Sequence, residues 1–195
     1  MASSPMLALP SGERARPRNL TTVGVLVAGV SCLMGFVALL AAYINVSHFN
    51  KPWPPRGVRI QNYPGTMLTL TMLMALVTVE WCVYATRRDL RGQAVSALLL
   101  TIGFGLAFLN LLWYFGRRIG FGPGKSAFAV LFFALLVAAG IVAAIGVALL
   151  IGALGRVLGR QYSGVDVDGL RATAWFWDFA VVAWVIVYAA LWLTS

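Results

Sequence analysis

Residues 172–193, ATAWFWDFAVVAWVIVYAALWL, form an unbroken apolar run that carries one charge, Asp178. At 1.5 Å of rise per residue, these 22 residues make a helix long enough to cross the hydrocarbon core of a bilayer. Trp175 and Trp177 lie near one end, Tyr188 and Trp192 near the other. Amphipathic rings prefer those two membrane–water boundaries, so the run reads as a transmembrane span anchored at both ends. An Asp at the centre of such a span costs about 2.5–3.5 kcal/mol, so Asp178 calls for a partner or for water.

The rest of the chain agrees with this reading. Of its 195 residues 61% are hydrophobic and only 11% are charged, and the mean hydropathy is +0.86. These values lie outside the range of soluble domains and predict an integral membrane protein. The net charge of +9 does not point to nucleic acid. Every basic residue falls in the N-terminal tail, in a connection or at the edge of a span, where it meets lipid headgroups and sets topology.

Four further spans precede the last. A polar tail, residues 1–20, holds Arg14, Arg16 and Arg18 and lacks the apolar core of a signal peptide. Spans are then expected over about 21–47, 64–86, 93–116 and 126–155, followed by 172–193, so residues 21–195 form one all-α membrane bundle of five helices. The connection from His48 to Tyr63 contains three prolines and Trp53 and is expected to lie on the surface. The turn RRIGFGPGK, residues 117–125, has glycines and a lysine but neither the spacing nor the preceding strand of a phosphate loop. Asp166 and Asp168 sit in the fourth connection without the further ligands of a calcium loop.

In the fourth span Gly140, Ala144, Ala148 and Gly152 recur every four residues, a smooth ridge expected to let another helix approach. Cys32 and Cys82 fall within spans, 50 residues apart, and read as small buried hydrophobes. With His48 as the single histidine, in a connection, no metal-ligating or catalytic set emerges.

The last span also resembles a known family. AWFWDFAVVAWVIVY follows the form AWYWHFVDVVWLFLY of the final helix of haem-copper oxidase subunit III, with Ala174, Trp175, Trp177, Phe179, Val182, Trp184 and Tyr188 in place. Asp178 stands where the family has His, and Val181 where it has Asp. The first span, VGVLVAGVSCLMGFVALLAAYI, is similar to the first helix of the five-helix form of that subunit through Gly24, Ser31, Met34, Phe36, Ala42 and Tyr43. The family's membrane Glu falls on Cys32, and the HGLHV pattern of its fourth helix is missing.

The resemblance implies a divergent, non-catalytic core subunit III of a terminal oxidase that reduces oxygen to water and translocates protons. It implies haem and copper in partner subunits and none in this chain, contact with the catalytic subunit I and other respiratory-complex subunits, bound phospholipid, and the plasma membrane of a bacterial or archaeal cell. A subunit-III-like partner of nitric oxide reductase and a small membrane transporter are the alternative readings. The electron donor, cytochrome c or quinol, is not encoded here.

Counting Lys and Arg, the tail and the second and fourth connections hold nine, against six on the other side. The positive-inside rule therefore puts the N-terminus in the cytoplasm. Glu80 and Asp178 then share a depth, each about six residues, or roughly 9 Å, inside the cytoplasmic boundary. With Arg87 and Arg171 they form a candidate cluster. Three roles remain open: holding a lipid headgroup or a few waters, biasing the pKa of a partner subunit's groups, or reaching toward nearby Arg87, Arg88 or Arg171 to fix helix depth.

Overall fold

Lipid offers no hydrogen bonds, so each apolar run must satisfy its own backbone, and it does so as an α-helix. The computed structural model describes residues 20–55, 62–160, 162 and 167–193. It contains five helices: α1 (Leu20–Phe49), α2 (Asn62–Arg87), α3 (Arg91–Arg118), α4 (Ala127–Leu158) and α5 (Asp168–Leu193). All five are long and apolar enough to cross a membrane, and no strand occurs among the described residues. Residues 1–19, with the basic part of the tail, lie outside the described residues, as do 56–61 and Asp166.

Local signals set the ends. Ser126 caps α4, its hydroxyl accepting from the Ala129 N–H at 3.1 Å. After α2 the chain reverses within three residues. Asp89 adopts φ 56°, and the Leu90 and Asp89 N–H groups return to the carbonyls of Ala85 and Thr86, closing the last turn. That tight turn lays α3 directly along α2. A Thr101 to Thr78 hydroxyl hydrogen bond of 2.9 Å joins the two helices at mid-span.

The helices run past their apolar stretches, which moves two residues out of the expected connections. His48 belongs to the last turn of α1, where a cation is favourable, and Asp168 to the first turn of α5, where an anion is. Trp53 is not on the surface either. It sits half-buried against Tyr43 and Phe128, with ring centroids at 5.3 and 5.0 Å, and its Nε1 donates to the Tyr43 hydroxyl.

The bundle is arranged around α5, which packs against α1, α2 and α4, while α4 also touches α1 and α3. Although consecutive, α1 and α2 make no close backbone approach. Trp177 is fully buried and lies between two glycines on neighbouring helices. A Cβ on Gly146 would come within 2.7 Å of its ring, and one on Gly105 within 2.9 Å. Trp184, 1% exposed, meets Phe108 edge-to-face at 5.0 Å and donates through Nε1 to the Thr69 hydroxyl at 3.1 Å.

The expected ridge on α4 behaves differently. Ala144, Ala148 and Gly152 are exposed and Gly140 is half-buried, while Ala139, Ala143, Gly146, Leu150 and Ala153 face inward. The reason is angular: four residues turn a helix by about 400°, so a strict four-residue stripe drifts away from the seam that a mixture of three- and four-residue steps maintains. Gly146→Leu should therefore destabilise the purified chain by about 1–3 kcal/mol, because Trp177 must move. Ala148→Leu should stay within about 0.5 kcal/mol. Thermal unfolding of both variants in one detergent checks the contrast.

Candidate functional site

The features singled out in the sequence converge on the end of the bundle where α2 finishes and α5 begins. Asp178 occupies the part of α5 that faces α1, and with Leu26, Trp175, Phe179 and Val182 it lines an open groove of about 330 Å³. Next to the groove α1 presents Gly29 to Phe179, and a Cβ there would strike the ring, so the two helices approach closely at that point. One carboxylate oxygen of Asp178, Oδ1, is buried and has no hydrogen-bond partner among the described residues. The charges that act on this carboxylate are those of Glu80 and Arg171.

Glu80 itself is exposed on α2, and Arg87, at the end of that helix, is exposed as well. The arginines have other contacts. Arg171 lies over the Trp175 ring at 5.6 Å, and Arg88 over Tyr84 at 4.7 Å. Such cation–π pairs contribute roughly 0.5–1 kcal/mol at exposed sites. They hold the guanidinium groups at ring level. Asp178 thus combines a buried carboxylate oxygen that has no donor among the described residues with a place in the lining of an apolar groove.

The positions matching the two helix patterns divide by location. Tyr43, Phe36, Ala174, Trp177 and Trp184 are buried, Trp175, Phe179 and Tyr188 are half-buried, and Ser31, Met34, Ala42 and Val182 are exposed. Ser31 returns its hydroxyl to the Val27 carbonyl at 2.8 Å, and Cys32 is a half-buried free thiol. Cys82, fully buried, points its Sγ at the Ala94 carbonyl of α3, 3.4 Å away.

A family model for cytochrome c oxidase subunit III matches residues 17–195. The chain belongs to that family. It is similar to cytochrome c oxidase subunit 3 of Branchiostoma lanceolatum, 29% identical over 175 residues that make up 86% of this chain and 67% of that protein. The subunit 3 of Chondrus crispus is 26% identical, with 86% and 64% covered, so the chain spans about two thirds of the length of these relatives. That of Thermostichus vulcanus is 25% identical over 179 residues, 91% of this chain and 89% of its own length.

As a subunit III, the chain is a non-catalytic component of a haem-copper oxidase and a multi-pass membrane protein. Among the described residues no three His, Cys, Asp or Glu side chains group closely enough to hold a metal ion.

Sequence reading puts Glu80 and Asp178 at one depth but does not disclose the groove beside Asp178, which is lined from α1 by Leu26 and from α5 by Trp175, Phe179 and Val182. If Oδ1 lacks a donor in the isolated subunit, Asp178→Leu should raise its stability by about 1–3 kcal/mol, the cost of an unmet buried acceptor. A lower melting temperature in detergent would show that the carboxylate is already satisfied.

Proposed function

We propose that this subunit III steadies the metal-bearing subunit of a bacterial or archaeal terminal oxidase that reduces oxygen to water and moves protons. Its N-terminus lies in the cytoplasm, with residues 1–20 as a tail and 21–195 as one membrane domain. The family match over residues 17–195 carries this reading. The near-full coverage of the Thermostichus vulcanus subunit supports a compact form of the family, and the excess of Lys and Arg on the N-terminal side supports the orientation.

The chain acts by contact. The family-pattern residues that its own packing leaves uncovered, Ser31, Met34, Ala42 and Val182, lie on α1 and α5. They are available to the catalytic subunit and to phospholipid. Asp178, supported by the positions of Glu80 and Arg171, accepts a hydrogen bond from a headgroup, a water or a partner side chain at the cytoplasmic end. A carboxylate held at that depth beside a proton-taking neighbour favours its charged donors and keeps nearby water ordered.

Purification of the tagged chain in mild detergent, with mass spectrometry and a haem absorption spectrum, should recover haem-bearing oxidase subunits. Stoichiometric haem or copper on the isolated polypeptide, or recovery without such companions, would overturn the proposal. In the assembled complex Asp178→Asn and Glu80→Gln should leave subunit composition intact and hasten the loss of oxygen consumption during sustained turnover. Unchanged decay would reduce both acids to depth anchors.

A further inference from the structure

At the opposite end of the bundle, where α3 finishes and α4 begins, lies a second groove. It runs between α3 and α4 with a volume of about 350 Å³, and its walls include Leu112, Phe133 and Val137. Gly116 and Gly140 form part of its floor, and Gly140 is the tighter of the two. A Cβ on Gly140 would meet Leu112 at 3.2 Å, and one on Gly116 would lie 4.0 Å from Phe133. Arg117 closes the end nearest the membrane surface, its guanidinium 4.7 Å from the centre of the Trp113 ring.

The dimensions indicate what fits. From Arg117 back to Leu109, the deepest residue of α3 in the lining, is eight residues, roughly 12 Å along the helix. That is the reach of the upper part of an acyl chain whose headgroup lies at the surface.

Charge indicates which headgroup. Of the six acids, Glu13 lies in the tail and Glu80, Asp89, Asp166, Asp168 and Asp178 all fall in or next to the opposite end of the bundle. The connections at the Arg117 end carry Lys51, Arg56, Arg59, Arg118 and Lys125 besides Arg117, and no acid. Among the described residues of these connections a phosphate meets only basic side chains, Lys51, Arg117, Arg118 and Lys125. A guanidinium stacked on a ring face still presents N–H donors in a fork matched to phosphate oxygens, so Trp113 holds Arg117 ready without consuming its hydrogen bonds.

We propose that the α3–α4 groove binds one anionic phospholipid, with the phosphate on Arg117 and an acyl chain lying over Gly116 and Gly140. This site is separate from Asp178 and independent of which oxidase the subunit serves.

The test is native mass spectrometry of the purified, delipidated complex titrated with phosphatidylglycerol or phosphatidylcholine. The unaltered complex should retain one phosphatidylglycerol more firmly than phosphatidylcholine. Arg117→Gln should weaken that retention at least tenfold, and Val137→Phe, which fills the groove from its exposed rim, should abolish it while leaving the cation in place. Arg118→Gln should have less effect than Arg117→Gln. Glycerol 3-phosphate, a headgroup without chains, should fail to displace the lipid. Equal retention of the two lipids, unchanged binding in both Arg117→Gln and Val137→Phe, displacement by glycerol 3-phosphate, or a photo-crosslink from position 137 to a protein subunit instead of lipid would each overturn the proposal.

Discussion

Two indole rings on one helix hold this subunit together. Between helices in lipid there is little hydrophobic gain, because the acyl chains are as apolar as the side chains they replace. What remains is close packing and hydrogen bonding. Trp177 supplies the first by filling the space left by Gly105 and Gly146, so that α3, α4 and α5 meet around one ring. Trp184 supplies the second, linking α5 to α2 through Thr69 while resting on Phe108 of α3. Lower on the same face Tyr188 shares a hydrogen bond with Thr66 of α2 at 3.1 Å. The aromatic residues that mark the family in its last helix are thus the residues that make α5 the centre of the bundle.

Much of this was legible in the chain. Five apolar runs separated by basic, glycine- and proline-containing connections leave few alternatives to a five-helix bundle. The aromatic pattern of the last run carried the family. The side on which each helix packs was not legible, and the ridge on α4 shows why. In a soluble protein the polar face of a helix announces the outside, but here the lipid-facing and protein-facing sides are both apolar. Only shape complementarity distinguishes them. Gly146 matters because Trp177 arrives opposite it, a fact that no spacing within α4 contains.

For the candidate site, sequence reading supplies an expected depth and nothing about the lateral direction. Counting residues from Arg87 and Arg171 puts Glu80 and Asp178 at one level. It cannot reveal that Arg171 lies over Trp175, that Glu80 is exposed, or that a groove opens between α1 and α5 beside Asp178. Likewise Trp53 looked like part of a surface connection because of its prolines. Its burial against Tyr43 and Phe128 follows from where α4 happens to begin. Local composition reports what a residue tolerates; the residue it meets is set by the packing of distant helices.

The separation of α1 from α2 bears on how the subunit is made. A hairpin of α2 and α3 can close as soon as its second arm enters the bilayer, since its turn is three residues long and its partners are adjacent. The first helix has no such neighbour. Both helices it packs against, α4 and α5, follow later in the chain, so none of its helix partners is present before α4 is made. Until then the face of α1 that the finished bundle covers is open to lipid or to a neighbouring subunit.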